Sequence, residues 1–174
     1  MCQKFIEHGT LEQRRAFVRT LRGHVFLLSL QMYGTRVVQR LLSVSSGTDV
    51  ESQSALVSEL DGRVMQCVKD QNGNHVIQAA LSVCPPDLVK FIVDVFDKHI
   101  FQLSIHPYGC RCVQRLLEHC SEARRAIILE EILENIDELC KNQYGSVTAQ
   151  HITNTSHSRT HTHILRATHK SIDL

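Results

Sequence analysis

Glutamine recurs in this chain at Gln39, Gln78, Gln114 and Gln150, separated by 39, 36 and 36 residues. Each closes a seven-residue run with glycine in second place: Tyr33-Gly-Thr-Arg-Val-Val-Gln, Asn72-Gly-Asn-His-Val-Ile-Gln, Tyr108-Gly-Cys-Arg-Cys-Val-Gln and Tyr144-Gly-Ser-Val-Thr-Ala-Gln. We label these repeats a, b, c and d. A side-chain amide offers a donor and an acceptor on one planar group. One turn before each Gln stand Thr35, Asn74, Cys110 and Ser146, followed by Arg36, His75, Arg111 and Val147. One solvent-facing Gln is ordinary surface. Four at the same place in a repeat are a device, and the residue types suit recognition better than bond-breaking.

Other residues with chemistry to offer are less well supported. His75 would need a nucleophile or an orienting acid to act as a catalytic base, and its repeat face carries neither. Cys110 and Cys112 are two apart, so on a helix they point to different sides and make a poor metal pair. The tail histidines, His157, His161, His163 and His169, are irregularly spaced and have no cysteine partners. No enzyme constellation, metal site or cofactor is therefore expected. The remaining cysteines read as small buried apolar side chains. Tyr33, Tyr108 and Tyr144, each just before the glycine, read as packing residues.

The elements that must position the trios follow from periodicity. After each glycine the apolar places are Val37, Val38, Leu41 and Leu42 in a; Val76, Ile77, Ala80 and Leu81 in b; and Cys112, Val113, Leu116 and Leu117 in c. This i, i+1, i+4, i+5 spacing is the buried stripe of an α-helix. It leaves Thr35, Arg36 and Gln39, Asn74, His75 and Gln78, and Cys110, Arg111 and Gln114 off the core, first and third one turn apart. A second helix precedes each: 11–21, 50–60, 86–99 and 123–140. Two helices per ~36 residues predict an all-α solenoid in which each unit covers its neighbour's apolar face.

Charge divides along the same lines. The window 33–42 holds Arg36 and Arg40, whereas 48–61 holds Asp49, Glu51, Glu59 and Asp61 without a base, and 122–138 holds six acids against Arg124 and Arg125. With a formal net charge of +1 over 174 residues, only this distribution speaks to partners: one face suits phosphates and bases, the other is acidic. Aromatic residues are 5% and Trp is absent, so aliphatic side chains must fill the core. No apolar run reaches the ~20 residues of a membrane helix, and the first residues lack a signal peptide's apolar stretch. Seven cysteines without a CxxC pair fit a reduced, intracellular protein.

Arg22-Gly-His-Val, Leu30-Gln-Met-Tyr-Gly, Val68-Lys-Asp-Gln-Asn-Gly-Asn-His-Val-Ile-Gln and His106-Pro-Tyr-Gly-Cys-Arg closely resemble the Pumilio (PUF) homology domain over residues 2 to 146. Their order is similar to the third to sixth of that family's eight repeats. The resemblance implies a right-handed α-solenoid over 1–152: a repeat remnant at 1–9 and repeats at about 10–46, 47–84, 85–120 and 121–152. By this reading the chain starts and ends inside the family domain. It implies a cytoplasmic monomer that binds single-stranded RNA in messenger 3′-untranslated regions, one base per repeat, and represses translation or promotes decay. The outer face is left for protein co-repressors.

In that family the first and third trio residues touch the base edge and the middle one stacks between bases. Carried over, Asn74 and Gln78 with His75 read U, Cys110 and Gln114 with Arg111 read A, and Thr35 and Gln39 with Arg36 read A. Because the family's chain runs antiparallel to RNA, the core is 5′-AUA-3′. Repeat d departs from the family's Tyr-Gly-Asn-Tyr-Val-Ile-Gln: Ser146 and Gln150 formally read A, but Val147 replaces the stacking ring. Its stripe of Thr148, Ala149, Ile152 and Thr153 is small or polar, so its helix is expected to fray. Residues 153–174 leave the family pattern, as an altered reading frame, an alternative exon or a truncation would each produce, and are expected to be disordered. The competing function is a protein-interaction scaffold whose RNA contacts are lost with the missing repeats.

Overall fold

The computed structural model describes residues 2–155. Of the tail expected to be disordered, residues 153–155 are helical and close the last described helix, and the remainder, with its four histidines, lies outside the described residues. Among the described residues every regular element is helical: α1 (Cys2–His8), α2 (Leu11–Leu21), α3 (Val25–Ser29), α4 (Gly34–Val44), α5 (Val50–Val57) continued by a 3-10 turn (Ser58–Leu60), α6 (Val64–Lys69), α7 (Gly73–Val83), α8 (Pro86–Phe96), α9 (Ile100–Ser104), α10 (Gly109–His119), α11 (Glu122–Glu134), α12 (Ile136–Lys141) and α13 (Gln143–Thr155). The glutamines therefore lie on α4, α7, α10 and α13. These four helices carry the trios.

Each repeat has three helices rather than two. The short α3, α6, α9 and α12 were not legible because five or six residues are too few to display a helical period. Two of the breaks that create them are glycine turns, with Gly23 at φ 80° after α2 and Gly62 at φ 68° after the 3-10 turn. The span expected as one helix over 123–140 is divided at Asn135, and the helix expected to reach residue 99 stops at Phe96.

The short helices explain the recurrent glycine. A Cβ at Gly73 would stand 2.8 Å from the Cys67 carbonyl oxygen and 2.9 Å from its Cα, and one at Gly109 would stand 2.7 Å from the Leu103 oxygen. Gly34 and Gly145 meet Leu28 and Leu139 in the same way, six residues back each time. The trio helix thus leaves the short helix at backbone contact. In repeats b, c and d the residue three before the glycine then caps it. The Asp70 carboxylate accepts from the Asn72 and Gly73 amides at 2.8 Å each, Asn142 Oδ1 accepts from Tyr144 and Gly145, and His106 Nδ1 accepts from Tyr108 and Gly109.

The described chain forms two compact units, divided between Val95 and Phe96. In the first, α4 packs on α7 and α1 on α4. Val38, Leu41, Leu42, Val76, Ile77 and Ala80 of the predicted stripes are all buried. Gln53, fully buried, donates from Nε2 to the carbonyls of Leu42 (3.1 Å) and Val83 (3.0 Å), so one amide ties down the ends of both trio helices. On the outer side Asp49, 3% exposed, takes a two-pronged contact from Arg15 (3.0–3.2 Å) and a short bond from the Ser52 hydroxyl (2.6 Å).

In the second unit α10 packs on α9 and α13. Arg125 Nε donates to the Leu117 carbonyl at 2.9 Å, serving the α10 end as Gln53 serves α4 and α7. Three residues of the repeat d stripe are buried despite its composition, Thr148 and Ala149 at 0% and Ile152 at 1% exposure, and Thr153 is half-buried. The Thr148 hydroxyl reaches the Ser104 carbonyl at 3.4 Å, which is how a polar residue is accommodated there.

Two consequences are measurable. Gly73→Ala must push α7 away from α6, and a cost of about 1–3 kcal/mol in urea unfolding is expected; no change would mean the contact relaxes freely. Burial alone would raise the Asp49 carboxyl, but the hydrogen bonds from Arg15 and Ser52 outweigh it and hold it below the ordinary 3.8. Its contribution to stability is therefore complete above pH 3.8 and is lost as pH falls through the lower folded value. In Asp49→Asn that acid-side loss should be shallower than in the wild type.

Candidate nucleic-acid interface

The four trio helices share one local construction: glycine against the short helix, an apolar stripe inward, and the trio at the opening turns. In the first unit, Arg36 and His75 are exposed and Gln39 and Gln78 are half-buried. The first residues are not on the open face. Thr35 is 3% and Asn74 2% exposed, which corrects the expectation that the whole trio stands off the core. The Thr35 side chain reaches the segment of repeat b, at the Asn72 carbonyl, and that of Asn74 turns back to Asp70 and Gln71, while the residue after each is exposed.

That burial gives the first residues a structural task. Thr35 Oγ1 donates to the Asn72 carbonyl at 2.9 Å and accepts from Gln39 Nε2 at 3.0 Å. Asn74 Nδ2 donates to the carbonyls of Asp70 (2.8 Å) and Gln71 (2.9 Å), and its Oδ1 accepts from Gln78 Nε2 at 2.8 Å. Two carbonyls against Nδ2 fix which way this amide points. Beyond this bond the half-buried Gln78 amide retains a second Nε2 proton and Oε1, next to the exposed imidazole of His75.

In the second unit the trio of repeat c differs. Arg111 is exposed, Cys110 is 2% and Gln114 7% exposed. Cys110 offers only a weak contact to the Pro107 carbonyl at 3.5 Å. Burial raises its thiol above the ordinary value even though Arg111 pulls the other way, so it is a neutral, small side chain rather than a nucleophile. Without an oxygen at the first place, Gln114 turns Oε1 to Arg111 Nη1 at 3.2 Å, and its buried Nε2 has no hydrogen-bond partner. In repeat d, Ser146 and Gln150 are exposed and Val147 is half-buried. The Ser146 hydroxyl is spent on the Gln143 carbonyl at 2.9 Å, so this trio presents no comparable pair.

The surroundings modify two further expectations. Tyr33 is 74% exposed and does not make the packing expected of it, whereas Tyr108 is half-buried with its ring edge-on to His106 at 5.9 Å. Cys67, Cys110 and Cys112 are buried as apolar filling, whereas Cys84, Cys120 and Cys140 are half-buried; burial pushes the Cys67 thiol up to about 11 and Cys84 to about 12. Charge separation by helix holds for 48–61 and 122–138 but not for α2, which carries Arg14, Arg15 and Arg19 against Glu12. Among the described residues no group of three or more His, Cys, Asp or Glu side chains is placed to hold a metal, and no helix is long and apolar enough to cross a membrane.

Comparison with known proteins agrees with this construction. The family profile described as Pumilio-family RNA binding repeat matches residues 1–20, 24–52, 63–95, 99–133 and 135–152. A Pumilio domain-containing protein of Schizosaccharomyces pombe is 32% identical over 152 residues, covering 87% of this chain and 22% of the relative. Pumilio homolog 1 of Xenopus laevis is 47% identical over 109 residues, 63% of this chain and 9% of its own length. Among solved structures, the Puf3 RNA binding domain bound to a Cox17 RNA 3′ UTR recognition sequence superposes with a TM-score of 0.83 at 37% identity, covering 99% of this chain and 48% of that one. PUF-8 in complex with PBE-RNA gives 0.86 at 33% identity, with coverage of 98% and 50%. The chain therefore spans about half of those solved domains and a quarter or less of these two relatives.

The orphaned donor of Gln114 makes a prediction about stability. Replacing a buried, partly unsatisfied amide by an apolar side chain of similar shape is close to neutral or stabilising. Gln114→Met should unfold within about 1 kcal/mol of the wild type or above it. A loss beyond about 2 kcal/mol would mean that the amide is held by a partner the structure lacks.

Proposed function

Since the chain belongs to the Pumilio family of RNA-binding repeat proteins, we propose that it reads single-stranded RNA, one base per repeat, by binding and without catalysis. The observation that carries this reading is the half-buried amide beside an exposed flat or cationic side chain in a and b, Gln39 with Arg36 and Gln78 with His75; in c the exposed Arg111 stands beside a buried Gln114 and donates to its Oε1. Amide edges match base edges, and imidazole or guanidinium planes match base faces.

The roles follow from the donor and acceptor inventory. Gln78, oriented by Asn74, offers one acceptor and one donor, which suits the N3–H and an adjacent carbonyl of uracil. Cys110 is small and neutral, leaving room for a purine, and the Nε2 of Gln114, buried and unspent in the RNA-free chain, complements the acceptor N1 of adenine once the side chain turns outward. Gln39 with Thr35 is assigned adenine by the same complementarity. Arg36, His75 and Arg111 stack. Repeat d, with Ser146, Val147 and Gln150, is assigned at most a weak contact. The core read is 5′-AUA-3′, met by c, b and a in that order. The setting proposed is the cytoplasm, on 3′-untranslated regions of messenger RNA, where occupancy lowers translation or stability of the message. A scaffold role would leave the exposed Arg36, His75 and Arg111 without a task, so RNA is preferred.

Strength can be bounded. Stacking is worth about 1–3 kcal/mol per base. Three sound positions give roughly 3–9 kcal/mol before association costs, which means micromolar or weaker binding. The test is a titration of short RNAs differing only in the central base. The wild type should prefer AUA to AGA and CCC. Asn74→Ser with Gln78→Glu should move the preference from U to G, because a carboxylate accepts from the guanine N1 and N2 hydrogens. Equal binding of all three RNAs by the wild type, or an unmoved U preference in the double variant, would remove the base-reading role from these residues.

A further inference from the structure

A helical threonine ordinarily returns its hydroxyl to the carbonyl four residues back. Thr35 does not. Its hydroxyl leaves its own helix and donates to the carbonyl of Asn72, 37 residues on, at 2.9 Å, while its oxygen accepts from Gln39 Nε2 at 3.0 Å. The Asn72 carbonyl also receives the backbone amide of His75 at 3.2 Å, closing the first turn of α7. A continuous polar path thus runs from the Gln39 amide, through the Thr35 hydroxyl and the Asn72 carbonyl, to the backbone of His75. All of it lies within the first unit, and Thr35 is 3% exposed, so water does not compete.

We infer that Thr35 is a positioning residue that couples two neighbouring base sites: it sets the orientation of the Gln39 amide in repeat a and anchors the helix turn that presents His75 in repeat b. The inference rests on the base-reading role proposed above, and it reassigns Thr35 from base contact to orienting group. With the hydroxyl proton committed to Asn72, the oxygen is left as an acceptor. That selects the rotamer of Gln39 in which Nε2 points to Thr35 and the remaining Nε2 proton and Oε1 are available to a base.

The other repeats act as internal controls. In b the Asn74 side chain supplies the same acceptor to Gln78 but donates within its own repeat, to Asp70 and Gln71. In c the sulfur of Cys110 supplies no such acceptor, and Gln114 is left with an orphaned Nε2. In d the Ser146 hydroxyl stays local. The hydroxyl at the first place of repeat a is thus the group that spans a seam and orients an amide at once.

The experiment compares wild type, Thr35→Val, which keeps the shape and removes the hydroxyl, and Thr35→Ser, which keeps the hydroxyl. Two readings are made on each. The first is the side-chain amide resonance pair of Gln39 in RNA-free protein, which reports the bond whether or not RNA binds. It should shift in Thr35→Val and return towards the wild-type position in Thr35→Ser. The second is discrimination, the ratio of affinities for RNAs differing only at the base facing repeat a, and separately at the base facing repeat b. Loss of one oriented hydrogen bond should cut discrimination at the first base by about three- to tenfold in Thr35→Val. Base changes at the two sites, additive within about twofold when independent, should depart from additivity in the wild type and approach it in Thr35→Val. The serine variant should restore both. A Gln39 resonance unmoved in Thr35→Val, or discrimination in that variant equal to the wild type, overturns the inference while base reading stands. A wild type that discriminates at neither base overturns the base-reading role and this coupling with it.

Discussion

The contact between the recurrent glycine and the carbonyl six residues earlier governs the rest of this structure. It brings the trio helix to backbone distance from the short helix before it, as at Gly73 over Cys67 and Gly109 over Leu103. Once that approach is fixed, the helix has only one way to turn. In a, b and c its apolar stripe faces the interior, its first place is buried, and its second place is exposed. A methyl group at the glycine would rotate or displace the helix and with it all three trio residues. Stability and recognition are therefore not separable at this position, since the same close approach that packs Ile77 and Leu81 aims His75 and Gln78.

Much of this was legible in the sequence, for a physical reason. Four copies of one pattern average out local accident, so the trio helices, their inward stripes and the start of α2, α5 and α8 could be placed from periodicity alone. Short helices α3, α6, α9 and α12 could not, because they hold one turn or little more and carry no repeat of their own. Their signal was indirect: Asp70 and Asn142, three residues before the glycine, are cap residues, and an Asx side chain at that spacing marks a helix about to begin. Trio geometry was read half correctly. Spacing of four puts Thr35 and Gln39 on one face, as observed, but the sequence cannot say that the next segment covers the first of them. Thr35 is buried where it meets Asn72 of the next segment, a tertiary contact.

That burial changes how the trio is understood. A polar side chain at 2–3% exposure must find partners or destabilise the fold, and Thr35 and Asn74 find them in backbone carbonyls and in the Gln one turn on. Their identity is constrained by folding before any ligand arrives. The glutamine, in contrast, is half satisfied: one group is spent on the first residue and the others are held ready. Exchanging the first residue therefore alters two things together, the shape above the base and the orientation of the amide beside it. Cys110 illustrates the consequence. It leaves space and supplies no oxygen, so Gln114 swings its carbonyl to Arg111 and keeps a donor with nothing to donate to.

Such an orphaned donor costs stability in the free protein, on the order of 1–3 kcal/mol for a buried group. The three intact trios are consequently not equivalent: in a and b an oxygen at the first place orients the amide through one hydrogen bond, and in c no such oxygen is present. Repeat d differs again: its serine bonds locally, its middle residue is a half-buried valine, and Gln150 stands exposed. The polar order of the trios thus declines from a to d even though the backbone construction does not, because Gly145 and the buried Thr148, Ala149 and Ile152 preserve the packing after the recognition chemistry has gone.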